Sequence, residues 1–142
     1  MKDVYSGRIV GYSMDSRMKS SLAVAALENA VRARNPAGTV VHSDRGGPVP
    51  VPPVRRITAS ARAHRIDGQV GACADNAAME SFFSLLQKNI LDRQRWLTRQ
   101  DLRLAITTWI ERTYHRRRRQ RRLGKLTPIE YETINRTALT AA

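Results

Sequence analysis

Apolar and polar positions along this chain predict a β-α-β run followed by a series of helices. In the opening segment DVYSGRIVGYSM, Ser6-Gly7 reads as a turn and residues 8–14 as a strand. Residues 20–34, SSLAVAALENAVRAR, follow helical spacing: Leu22, Ala25/Ala26, Asn29/Ala30 and Ala33 make a small-residue face, and Asn35-Pro36 ends it. Residues 39–42, Thr-Val-Val-His, then form a short buried-type strand that carries the chain to Asp44. This order points to the α/β class.

Residues 47–71 lack a clear period, and the four prolines between Pro48 and Pro53 exclude a helix or a central strand there. Regularity returns at Cys73-Ala74-Asp75-Asn76, where Asp75 or Asn76 is expected to cap a helix running to about Leu91. Thr98-x-x-Asp101 resembles a capping box, and the helix it starts places Leu102, Ile106, Trp109 and Thr113 on one face. Trp96 and Trp109 read as core residues and not as stacking platforms for bases. Residues 112–122, RTYHRRRRQRR, hold seven arginines. In TPIEYE, Thr127 at N-cap, Pro128 at the first helical position and Glu130 at the third give a three-part helix start.

Charge changes the picture more than composition does. Lysine and arginine number 25 against 12 acids, a formal charge of +13 and a pI near 11.3. That excess points to an anionic polymer as partner, because basic side chains gain affinity by releasing counterions from phosphates. Cys73 is the single cysteine, which excludes an intrachain disulfide or a cysteine-cluster zinc site and fits a reducing compartment. His42, His64 and His115 are too scattered to suggest zinc. No apolar run approaches the roughly 20 residues of a membrane span, and no secretory signal is visible, so the expected location is cytoplasmic with no membrane partner.

On the helix after residue 75, Met79, Phe82/Phe83, Leu86 and Ile90 form the apolar stripe, while Asn76, Glu80, Ser84 and Lys88 recur every four residues on the other side. A solvated helix face would look the same. Asp44 adds a second carboxylate at the end of a short apolar strand, with 35 residues between it and Glu80. An acid after a strand and an acid on a later helix suit Mg²⁺ or Mn²⁺, which favour hard oxygen ligands and bridge to phosphate oxygens.

HSDRG, the 35-residue interval, ADNAAMESFFSLLQK and YHRRRRQRRLGKLTPIEYE together resemble the integrase-core transposases of bacterial insertion sequences. The opening DVYSGRIVGYSM is similar to the same family's second-to-third strand region. The resemblance covers residues 1–46 and about 68–135. It implies a ribonuclease-H-like catalytic core with a site of two aspartates and a glutamate holding divalent metal. Asp44 would be its second acid and Glu80 its third, both metal-ligating and catalytic. It also implies transposition chemistry: a metal-activated water cuts the element's end, and the freed 3′-hydroxyl attacks target DNA in line. Lys88, Arg116, Arg117, Arg118, Arg119, Arg121 and Arg122 would lie along DNA, and strand transfer in such families implies a multimer. On this reading residues 1–115 are a partial integrase core, and residues 116–142 are a basic segment and C-terminal helix of the same domain.

Two departures weaken the expected activity. The family's first catalytic aspartate precedes the segment that matches Met1, and Asp3 matches a different aspartate. The core is therefore expected to be incomplete, without its first strand and most of its second, and two carboxylates hold metal more weakly than three. The second departure is the proline stretch, where the family continues with a Ser-Gln-aromatic segment and a helix. Together these predict an inactive, poorly stable fragment. An alternative is a non-catalytic basic DNA-binding protein that interferes with an intact transposase; a small RNA-binding protein has only the charge in its favour.

Proline is CCN and valine GTN, so PVPVPPVRRITAS read one base later permits Gln-Phe-Arg-Ser-Arg-Arg-Phe-Val-Ala-Leu-Leu-Gln, much like the missing helix. The hypothesis is that residues from about 47 to about 63 are translated out of frame between two compensating single-base changes, which would preserve the 35-residue spacing. Sequencing the coding DNA tests this. Codons that permit the alternative reading support it, and codons that forbid it make the prolines a genuine loop.

Overall fold

The structure, a computed structural model, describes residues 1–17, 20–36, 38–43, 64–67 and 72–140. It divides into two units: Met1–Lys2 with Val10–Glu80, and Asp3–Ile9 with Ser81–Ala142.

In the first unit, helix α1 (Ser20–Arg34) forms where its spacing predicts. Its inward line is Leu27 and Ala30, whereas Asn29 and Ala33, expected on that face, are exposed. The difference comes from Gly11, which sits directly against the helix backbone. A Cβ there would lie 2.7 Å from both Ala30 N and Ala30 Cβ and would run into the Ala26 carbonyl. Asn29 is thereby turned to the rim, where its amide donates to the Tyr12 carbonyl at 3.1 Å. The helix ends at Asn35, which takes left-handed backbone (φ 43°) and donates its N–H to Val31 O at 2.8 Å.

The strand expected over residues 8–14 does not form. Arg8 O accepts from Asp3 N–H and Val10 N–H donates to Met1 O, but no ladder extends through the segment. A strand needs a partner over several residues, and the pairing of this segment with residues 1–3 stops at a single bridge, Lys2 with Ile9.

Strand β1 (Val40–Ser43) forms one residue later than expected and pairs in parallel with β2 (His64–Asp67), in register from Val40↔His64 to Ser43↔Asp67. Nothing in the sequence pattern predicted β2. The segment read as out of frame, 47–63, lies outside the described residues. Helix α2 (Ala72–Leu86) starts before the expected cap, so Asp75 and Asn76 fall inside it. It runs directly into a π-helical segment, Gln87–Leu91, closed by Asp92 N–H to Gln87 O at 2.9 Å.

In the second unit, helix α3 (Arg99–Thr108) starts at the predicted Thr98, whose hydroxyl accepts from Asp101 N–H. It too passes into a π-helix, Trp109–Tyr114, with His115 N–H bonded to Ile110 O at 2.9 Å. This five-residue bonding turns Tyr114 inward in place of Thr113, which is exposed against expectation. Phe82, Trp109 and Tyr114 make the aromatic centre of the unit. The Phe82 and Tyr114 rings meet edge-to-face at 5.1 Å, and Trp109 lies 6.0 and 5.7 Å from them. Each such buried side chain contributes about 1.5–3 kcal/mol. Leu86, Ile110 and Leu123 are also buried in this unit.

A 3₁₀ turn (Arg121–Leu123) and left-handed Gly124 and Lys125 return the chain so that Gln120 pairs antiparallel with Leu126. Helix α4 (Pro128–Thr140) then begins with the predicted capping box. Thr127 N–H donates to Glu130 Oε2 at 2.8 Å, and Glu130 N–H donates to Thr127 Oγ1 at 3.2 Å.

Gly11→Ala is expected to lower stability by about 1–3 kcal/mol, the usual cost of overpacking. Thermal or urea denaturation checks this, and an unchanged midpoint would show that α1 can move aside.

Candidate functional site

Glu80 sits on α2 with its side chain exposed. Helical spacing places Ser84 on the same side one turn later. Lys88, also exposed, falls within the π segment, where a four-residue step no longer returns to the same face. Lys2 Nζ donates to the carbonyl of Ala78 at 3.0 Å, close to Glu80 along the helix. Asp44 lies outside the described residues; β1 ends at Ser43, its predecessor in sequence. Among the described residues no group of three or more His, Cys, Asp or Glu side chains is placed to hold a metal ion. Both named residues are carboxylates, the hard oxygen donors that suit a divalent cation.

Asp3, set aside from catalysis on sequence grounds, is occupied by its own turn. Its Oδ1 accepts from Tyr5 N–H at 2.9 Å and its Oδ2 from the Ser6 hydroxyl at 2.6 Å.

The arginine-rich stretch is a structured surface. Arg116, Arg117, Arg118, Arg119, Arg121 and Arg122 are all exposed, on the turn after the π-helix and on the 3₁₀ turn. Arg119 is drawn back toward the protein: its Nη1 donates to Lys125 O at 3.4 Å, and Nη2 is 4.0 Å from Glu130 Oε1. The Thr127 backbone N–H and hydroxyl hold the Glu130 carboxyl below its ordinary range.

The sequence reading gave no role to Tyr114 and His115, which are buried just before the run 116–122. Burial pushes the Tyr114 phenol up, opposed by its hydrogen bond with Gln120 and by Arg118 and Arg122. The His115 side chain is only 1% exposed. Its Nε2 accepts the Ile9 N–H at 3.0 Å, so the proton of the neutral ring sits on Nδ1, 3.2 Å from Glu111 Oε2. Burial lowers the imidazole's affinity for a second proton; Glu111 and Glu132 oppose this, and Arg8 adds to it. A single histidine at the edge of an arginine run was the only sequence signal for this anchor.

Structure and sequence so far define a basic α/β protein with an exposed helical carboxylate and an exposed arginine surface. Comparison with known proteins fixes the class. A model of the integrase core domain matches residues 1–73, and a second integrase core model matches residues 61–128. The chain is 36% identical, over 92% of its length and 44% of the relative's, to a transposase for insertion sequence element IS629 of Shigella sonnei. It is 34% identical to the transposase InsF for insertion sequence IS3A of Escherichia coli K12, over 94% of this chain and 46% of that protein. It is 38% identical to a 31 kDa protein of insertion element IS600 of Shigella sonnei, over 92% and 48%. No solved structure matches. The chain belongs to the integrase core family, which implies a ribonuclease-H-like fold. It spans about half the length of the curated relatives it matches. No helix among the described residues is long and apolar enough to cross a membrane.

The anchor at His115 makes stability depend on pH. A ring whose proton affinity is lowered by folding favours the unfolded chain once it must be protonated. Its contribution is therefore complete above the ordinary histidine value of 6.5 and is lost as pH falls from there toward the folded value. The slope should not exceed about 1.4 kcal/mol per pH unit, the limit for one proton. Glu130 adds a second loss below its ordinary 4.5. Urea titrations between these two values check this: His115→Gln should flatten the slope, and an unchanged slope would assign it to other groups.

Proposed function

We propose that this chain is part of a DNA transposition machinery, with Asp44 and Glu80 as two carboxylates of a divalent-metal site and the arginine surface as a DNA contact. Membership of the integrase core family carries the reading; the exposure of Glu80 and of the arginines supports it. Magnesium or manganese held by Asp44 and Glu80 would supply Lewis acidity at a phosphate oxygen and ease deprotonation of the attacking water or hydroxyl. The carboxylates hold and orient the cation. Arg116, Arg117, Arg118, Arg121 and Arg122 bind the phosphate backbone, with Lys88 as a further cation. Arg119, engaged with Lys125 O and Glu130, contributes less. These contacts set position along the duplex without reading sequence.

Asp44 and Glu80 alone are proposed to hold the cation weakly, since two carboxylates neutralise less of its charge than three. A multimer on DNA is part of the same proposal.

Two measurements on the full chain test it. Duplex affinity should fall with salt, and Arg121→Ala or Arg122→Ala should each reduce the slope of log K against log salt by about 1, with a smaller change for Arg119→Ala. Calorimetry should detect Mn²⁺ binding that Asp44→Asn and Glu80→Gln each weaken about tenfold or more, while DNA affinity without metal is retained. Mn²⁺ binding indifferent to both substitutions would remove the metal site and leave a non-catalytic DNA-binding protein. Salt slopes indifferent to the arginines would remove the DNA contact.

A further inference from the structure

We propose that the second unit carries a docking groove for an acidic, amphipathic protein segment, apart from the carboxylates and sharing Arg117 alone with the proposed DNA contact described above. On α3 and the π-helix that follows, Leu104, Ala105 and Trp109 line an open cavity of about 540 Å³ together with Ile90. These side chains recur at helical spacing and continue past Trp109 to Arg112, with Arg117 on the wall beyond. Leu104 is 66% exposed, so the groove presents apolar surface that nothing in the unit covers among the described residues.

The charge of the groove selects its occupant. Arg112 and Arg117 are exposed, and neither forms an ion pair among the described residues. Asp101, the carboxylate on the wall, is engaged at the opposite end by the hydroxyl of Thr98 at 2.6 Å. The wall thus has an apolar middle, a cationic end and a capped acidic end. A helix with leucine-like residues at i, i+3 and i+4 and carboxylates at one flank matches that polarity and would set its acids against Arg112 and Arg117. DNA matches it poorly. A duplex backbone would leave Leu104 and Ile90 uncovered, and Trp109, at 9% exposure, offers no ring face for a base to stack on. A second copy of the chain would bring another +13 charges to a site already cationic.

The test uses the full chain and a fluorescently labelled synthetic helix of about four turns, with leucines on one stripe and glutamates elsewhere. A scrambled peptide of the same composition controls for the general attraction of acids to a basic protein. At about 0.15 M salt the striped peptide should bind at least about tenfold tighter than the scrambled one. Leu104→Glu, at an exposed position, should remove that difference, and Arg112→Glu with Arg117→Glu should reverse the preference toward a lysine-substituted striped peptide. Equal binding of both peptides, or indifference to Leu104→Glu, overturns the proposal. So does a dimer in sedimentation that Leu104→Glu dissolves, since the occupant is then a second copy. Displacement of the striped peptide by a duplex, lost in Arg112→Glu, overturns it in favour of nucleic acid.

Discussion

The second unit depends on a single irregular turn. In an α-helix an inward position returns after three or four residues; between Trp109 and Tyr114 it returns after five. That wider step lets two adjacent pairs, Trp109-Ile110 and Tyr114-His115, face the same interior, and the Phe82 ring packs against the aromatic members of both. With an ordinary step Thr113 would have taken the place of Tyr114. His115 then joins three pieces of chain through three different atoms. Nε2 takes the Ile9 N–H, Nδ1 faces Glu111 on its own helix, and the backbone carbonyl accepts Ile129 N–H of α4 at 3.3 Å. A buried imidazole with both nitrogens engaged has one tautomer and one orientation, which makes it a rigid joint.

Rigidity beneath the arginines matters because the arginines themselves oppose order. Seven guanidinium groups within residues 112–122 repel one another, and an unstructured segment would spread them apart. Here the buried Tyr114 and His115 interrupt the run, and with Leu123 just beyond it they pin the six arginines from 116 to 122 on both sides. The tight return through Gly124 and Lys125 fixes the distal side. Cations held in place lose less conformational freedom when an anion arrives than cations on a loose tail. In the proposed DNA contact the apolar anchors within the basic run would therefore be part of how it binds.

Legibility in the sequence followed the range of the interactions. Both capping boxes, at Thr98 and at Thr127, were readable because all the groups involved lie within four residues. The end of α1 at Asn35 was readable for the same reason. Residues 8–14 failed as a strand because alternation shows only that a segment suits a sheet, and the partner is decided elsewhere. β2 has four residues, too few for any period to be seen. The π turns escaped because a pattern laid out at 3.6 residues assumes the bonding that they replace. Of the candidate site, the exposure of Glu80 and of the arginines followed from local patterning. An approach of Asp44, which lies outside the described residues, to Glu80 would be a tertiary relation that spacing alone does not supply.

The outward position of Glu80 has a cause two residues along the same helix. Successive residues turn by about 100° in an α-helix, so positions two apart face nearly opposite sides. Phe82 is 4% exposed and Leu86 8%, and the inward packing of both fixes the rotation of α2 about its axis. With that rotation fixed, residue 80 must point outward. A glutamate at position 79, by contrast, would occupy the half-buried place that Met79 takes and would face a desolvation penalty in any ionised role. Through the phase of this one helix, the burial of Phe82 and Leu86 keeps the carboxylate at position 80 at the surface, as the proposed cation role requires.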